Sequence, residues 1–197
     1  MFARSRRRVG ILGAGGWGTA VGAVLAGRGH RVEIWCHERE VAEEINHRRT
    51  NARYLMGVEL PEEPKAVTDV ERAVARKDFI LLAVPSPFLL GAVRGILGDP
   101  DVAEGGPTIG VLSKGFVESG GRIRLITEAV EELLPPSYAG NVVYISGPSH
   151  AAEVARGKIT GLIAACRNGT NAIRSRERMS GGTLVLFPSL DVRGVQA

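Results

Sequence analysis

Short apolar runs alternate along the whole chain with stretches whose apolar residues recur at helical spacing. The first run, 9–12, leads into small and apolar residues over 19–26 that read as a helix, and 31–35 follows as a second strand. A strand, helix and strand of this length form a right-handed parallel crossover. Residues 38–49 are charged and helical, 51–57 with Leu60 and Pro61 read as an ordered loop, and 65–68 is a short strand. The run from Phe79 to Val84 is continuously apolar and stops at Pro85-Ser86-Pro87, as expected of a strand covered on both faces. Helix over 88–97, strand over 108–112, helix over 123–134 closed by Pro135-Pro136, and strand over 141–145 continue the alternation. Helices over 150–155 and 171–179 and strands over 161–166 and 183–187 complete it. This pattern predicts an α/β chain with a doubly wound, mainly parallel sheet, whose ligands sit beyond the carboxyl ends of the strands. Attention therefore falls on 13–18, 36–39, 85–87, 113–115 and 146–149.

Gly13-Ala14-Gly15-Gly16-Trp17-Gly18 stands directly behind the first strand and opens the first helix. Glycines in this order suit a dinucleotide: Gly13 for the sharp turn, Gly15 for close approach of backbone to a pyrophosphate, and Gly18 for packing of helix on sheet. Free N–H groups at the helix start would face the phosphates. The six residues alone are a weak signal, because glycines also collect in turns without function. Their placement between strand and helix is what favours a Rossmann-type nucleotide site.

Composition narrows the choice. At 197 residues the chain has room for one good-sized α/β domain, and its 44% hydrophobic and 23% charged residues are ordinary for a globular protein. No apolar run is long enough to span a bilayer, so no membrane insertion is expected. Arg4, Arg6 and Arg7 make residues 1–7 a basic arm, with Arg8 next to it, but no apolar signal segment follows, and a cytoplasmic location is expected. A net charge of +4 suggests nucleic acid, yet the later arginines are dispersed and aromatics are only 5%, so nucleic-acid binding is a minority reading. Cys36 and Cys166 form neither a disulfide framework nor a metal-type pair, and no metal site is expected.

Three strand ends together carry a more specific likeness. Gly13-Ala14-Gly15-Gly16-Trp17-Gly18-Thr19-Ala20, Ser113-Lys114-Gly115-Phe116 and Ser146-Gly147-Pro148-Ser149 resemble the bacterial NAD(P)-dependent glycerol-3-phosphate dehydrogenase family. Asn51, Tyr54-Leu55 and Leu60-Pro61 resemble a further family segment, and Asp191-Val192 with Gly194-Val195 resembles the stretch before the family's second domain. The resemblance implies a cofactor-binding domain over 8–192, with 193–197 starting the connection to a C-terminal helical domain. That domain supplies a second catalytic lysine in the family, and this sequence stops before its motifs. The implied reaction reduces dihydroxyacetone phosphate to sn-glycerol 3-phosphate with hydride from NAD(P)H, for glycerophospholipid synthesis. The partner implied is thus a small-molecule substrate. A non-catalytic nucleotide-binding module is the alternative. Surfaces that would pack on the helical domain leave a homo-oligomer open.

Residue by residue, the resemblance assigns Lys114 to catalysis, where an ammonium just past a strand end can polarise a carbonyl oxygen or hold a phosphate. It places the substrate beside Lys114, Gly147 and Ser149. It places the cofactor beside Gly13, Gly15, Gly16, Trp17, Gly18, His37, Tyr54, Lys114 and Ala151. A surface lysine and a Gly-Pro turn are the plain readings of Lys114 and Gly147. His150 reads as packing or water-facing, while Phe88 and Pro85-Ser86-Pro87 are expected to line the nicotinamide side. An acid at the end of the second strand favours NAD and a base favours NADP. There the chain carries His37, Glu38 and Arg39, and the balance leans to NADP over NAD.

Overall fold

The structure is a computed structural model that describes residues 6–196. Arg4, in the basic arm, lies outside the described residues. Ten strands and nine α-helices are formed among the described residues, in the order β1 Arg8–Leu12, α1 Gly16–Gly27, β2 Arg31–Trp35, α2 Arg39–Arg48, β3 Lys65–Val67, α3 Val70–Val74, β4 Phe79–Leu82 and α4 Ser86–Arg94. They continue with α5 Pro100–Ala103, β5 Thr108–Val111, β6 Phe116–Ser119, β7 Arg122–Leu125, α6 Ile126–Leu133, β8 Val143–Ser146, α7 Ala151–Ala155, β9 Thr160–Ala165, α8 Gly169–Met179, β10 Leu184–Ser189 and α9 Val192–Gln196.

Eight strands form one sheet in the order β10-β9-β8-β5-β4-β1-β2-β3. From β3 to β8 every pair is parallel. The order reverses between β1 and β4, which creates the crevice in which ligands of open α/β sheets bind. β4 shows why its sequence has no polar residue: Phe79 and Leu81 belong to the core on one face of the sheet, Ile80 and Leu82 to the core on the other. Each side chain of the strand is thus removed from water, a gain of about 1.5–3 kcal/mol per large apolar residue.

The expected alternation fails in two places. Residues 123–125, expected as the first turn of a helix over 123–134, instead belong to β7, paired antiparallel with β6 in a separate hairpin. β9 runs antiparallel to β8. α7, between them, packs against α1 instead of crossing a sheet face, and the chain re-enters the sheet from the carboxyl edge. The Cys166 end of β9 therefore lies on the edge opposite the strand ends that gather the candidate residues. At the other terminus, Arg7 is tied down rather than dangling: its N–H donates to His30 Nδ1 at 3.2 Å and its carbonyl accepts from Arg31 N at 2.8 Å. Gly181 and Gly182 belong to an ordered turn in which Gly181 N donates to Leu184 O at 2.7 Å.

Candidate functional site

The turn after β1 is set by sterics. Gly13 has φ +117°, a region that residues with a Cβ rarely enter, and its N–H continues the ladder to Trp35 O at 3.1 Å. A Cβ on Gly18 would stand 2.1 Å from Gly13 O, so the first turn of α1 can lie this close to the strand end only with glycine there. Gly15 differs: a Cβ there would meet nothing within 4 Å. Packing within the protein therefore does not require glycine at 15, which opens on the cleft described below.

Asn51 holds this turn from behind. Fully buried, it donates from Nδ2 to Ala14 O at 2.8 Å and to Thr19 Oγ1 at 2.9 Å, while its Oδ1 accepts from Tyr54 N at 3.3 Å. The segment after α2 is thereby stapled to the glycine turn, and Tyr54 O comes within 2.5 Å of where a Cβ on Gly16 would be. On the far side of the turn, Ser113 Oγ donates to the carbonyl of Val84, tying the carboxyl end of β4 to that of β5.

Between these strand ends lies a cleft of about 520 Å³, lined by Gly15, Gly16 and Trp17 from the glycine turn, Pro85 to Pro87 after β4, Lys114 after β5, and Ser149 to Ala151 after β8. Lys114, exposed, donates from Nζ to Gly147 O at 3.3 Å, and Ser149 Oγ donates to the same carbonyl at 3.2 Å. The structure thus brings together Gly15, Gly16, Trp17, Lys114, Ser149 and Ala151, with Gly147 beneath them. Exposed His150 is on the cleft wall at the start of α7, and water-facing as expected. Phe88 is not on it: its ring is 69% exposed and faces the neighbouring groove shared with Phe116. Proline at 85 and 87 turns the chain into α4 before Phe88 can reach the cleft.

His37 and Tyr54 lie outside the cleft, at the carboxyl end of β2. His37 is exposed and meets Trp35 edge-on at 6.2 Å between centroids. Tyr54 Oη donates to Glu38 Oε1 at 2.7 Å, and Arg53 reaches the same carboxylate at 3.6 Å while its guanidinium lies over the Tyr54 ring. The tyrosine hydrogen bond holds the Glu38 carboxyl below its usual range, with the Arg53 and His37 charges adding to it. Asn51 and Ser113 were expected only as parts of family-like segments, and Glu38 only as the acid weighed against His37 and Arg39, none of them with a role in the site. Glu38 was legible from its spacing behind the glycines, whereas the other two act through burial that spacing does not reveal. Among the described residues, no cluster of three or more histidine, cysteine, aspartate or glutamate side chains could hold a metal ion.

Residues 8–172 match the model of the NAD-dependent glycerol-3-phosphate dehydrogenase N-terminus. The chain belongs to that family. A Treponema denticola protein named glycerol-3-phosphate dehydrogenase (NAD(P)+) is 43% identical over 195 residues, covering 96% of this chain and 55% of its own length. Its Bacillus thuringiensis namesake is 34% identical over 189 residues, covering 96% of this chain and 54% of its own. The crystal structure of the Coxiella burnetii glycerol-3-phosphate dehydrogenase superposes with a TM-score of 0.85 at 31% identity, covering 97% of this chain and 56% of that one. The chain thus spans about half the length of these dehydrogenases, the half that carries the glycine turn.

Proposed function

We propose that this chain is the coenzyme-binding part of a cytoplasmic glycerol-3-phosphate dehydrogenase, acting on dihydroxyacetone phosphate and sn-glycerol 3-phosphate with NADP(H) in preference to NAD(H). The observation that carries the reading is that Gly15, Gly16 and Trp17, at the start of a twelve-residue helix, line the same strand-end cleft as Lys114. The first N–H groups of a helix have no partner within it, and a pyrophosphate at this helix start would supply one. Gly13, Gly15, Gly16, Trp17 and Gly18 would cradle the diphosphate, Ala151 would border it across the cleft, and His37 and Tyr54 would take the adenosine end. When bound, the nicotinamide supplies the hydride that turns the central carbonyl of the substrate into an alcohol. Lys114 would set an ammonium where negative charge develops on that oxygen, and Ser149 would offer a hydroxyl to a phosphate or polyol.

The lean to NADP(H) rests on charge. His37, Arg39 and Arg53 surround the end of β2; of the acids beside them, Glu38 is already engaged by Tyr54 and Arg53, and Glu43 pairs with Arg39 at 2.9 Å, which leaves His37 and Arg53 as the groups that carry the lean. A 2′-phosphate would meet cations there. Titrating the chain with NADPH and NADH tests this: tighter NADPH binding is expected, and the reverse order overturns the preference. His37→Asp should shift the ratio towards NADH. Loss of NADPH absorbance that depends on dihydroxyacetone phosphate and disappears in Lys114→Met supports the catalytic assignment. Its absence in a chain that binds NADPH favours a nucleotide-binding module without turnover.

A further inference from the structure

At the opposite edge of the sheet, away from the cleft, the amino ends of three strands present cations side by side. Arg8 opens β1 and Arg31 opens β2 directly opposite it in the register. Lys65 opens β3, paired with Glu33. Like charges set opposite one another across strands repel. Asp78 accepts from the Arg8 backbone N–H at 2.8 Å but pairs through its other oxygen with Arg7 at 3.6 Å, and among the described residues neither the Arg8 nor the Arg31 guanidinium takes part in an ion pair or a side-chain hydrogen bond. Glu33, in register beside them, is committed elsewhere, since it pairs with Lys77 at 2.8 Å and with Arg72 at 3.0 Å. Burial raises the Glu33 pKa, and these two hydrogen-bonded cations outweigh it and hold the group ionised.

A third arginine joins them by an unusual route. Arg76, in the turn from α3 to β4, has φ +55°, which glycine adopts without cost and an arginine does not. Its N–H is held by Asp101 Oδ2 at 2.9 Å, and its guanidinium likewise has no partner among the described residues. Arg8, Arg31, Lys65 and Arg76 line one concave pocket of about 330 Å³, floored by the buried Lys77 side chain, with Glu63 as the remaining acid. That volume lies at the lower end of small-molecule sites. A concave shape favours a small ligand over a flat lipid surface or a duplex, and guanidinium forks match the oxygens of phosphate groups.

We propose that this pocket binds a small phosphorylated anion bearing at least two negative charges, at a site separate from the coenzyme cleft. Because β1 and β2 begin at this pocket and end at the glycine turn and at His37, the two sites share their strands but not their residues.

Calorimetric titration of the chain with inorganic pyrophosphate, in the presence of saturating NADPH, tests the proposal. One saturable site is expected, weakened about tenfold or more in Arg31→Gln and in Arg76→Gly, since each removes a charge-assisted hydrogen-bond donor. Arg76→Gly also relieves the left-handed backbone, so its melting temperature should hold or rise while binding falls, which separates loss of the site from loss of the fold. Arg48→Gln removes the same charge outside the pocket and should leave the titration unchanged. Absence of binding, equal binding in all variants, or an equal loss in Arg48→Gln overturns the proposal.

Discussion

Asn51→Ala tests whether the glycine turn is held in shape by the segment behind it. The substitution deletes two hydrogen bonds from Nδ2, to Ala14 O at 2.8 Å and Thr19 Oγ1 at 2.9 Å, and the longer one that Oδ1 accepts from Tyr54 N. Net contributions of about 1 kcal/mol per good buried hydrogen bond, plus a small cavity at a fully buried position, give a cost of about 2–3 kcal/mol. The figure stays moderate because Thr19 Oγ1 still donates to Ala14 O at 3.2 Å, so that carbonyl keeps a partner. For a chain of this size the melting temperature should fall by roughly 4–12 °C. Calorimetric melting measures it, and NADPH titration of the same variant should show weaker binding, because the Tyr54 backbone that abuts Gly16 is released. Asn51→Asp should be worse than alanine, since it places a carboxylate against the Ala14 carbonyl. A melting temperature within a degree or two of the parent, with unchanged affinity, would refute the stapling argument.

Gly18→Ala should cost far more than a helix-interior alanine normally gains, because its Cβ would meet backbone Gly13 O at 2.1 Å and no side chain can move aside; thermal melting checks it. The Tyr54 hydrogen bond lowers the Glu38 pKa from its usual 4.5, so the stabilisation it brings is complete above that value and is lost as pH falls through the folded one. Melting curves taken downwards from neutral pH should therefore fall less steeply in Tyr54→Phe than in the parent, and parallel curves would count against the tether. Burial, with the Glu38 charge adding to it, pushes the Cys36 thiol up to about 12, and Cys166 is raised chiefly by burial too. Both should resist a thiol-reactive disulfide reagent near neutral pH until the chain is unfolded, and rapid labelling of the native protein would show either one to be accessible.

Much of the fold was legible because parallel strands buried on both faces leave an uninterrupted apolar trace, as Phe79 to Leu82 do. The helix and strand lengths on either side of the glycines were equally plain. The β6–β7 hairpin was less so: Ile123, Ile126 and Val130 continue a helical spacing across the strand-to-helix boundary and hide it. Gly120 and Gly121, with φ +61° and +70°, form the tight turn that was the available local signal. Short α3 and α5 are opened by Asp69 and Asp99, whose carboxylates accept from Glu71 N and Val102 N, but helices of five and four residues leave little periodicity to detect. The direction of β9 cannot be read from its own apolar residues, since a strand presents the same alternation either way; it is decided by α7 docking on α1. Within the site, the residues that touch the cleft were found from strand ends and from likeness to a family. The roles of Asn51 and Ser113 were not, because they depend on carbonyls contributed by distant segments.

The most direct measurement is a calorimetric titration of the parent chain and of Gly15→Ala with NADPH, each accompanied by a melting curve. A Cβ at 15 meets no protein atom within 4 Å, so the variant should melt like the parent. Saturable one-to-one binding by the parent is expected, with a loss of at least about tenfold in the variant, because the methyl group would occupy the approach of the pyrophosphate. A folded parent that binds neither NADPH nor NADH, or a Gly15→Ala variant that binds as tightly as the parent, would contradict coenzyme binding at the glycine turn.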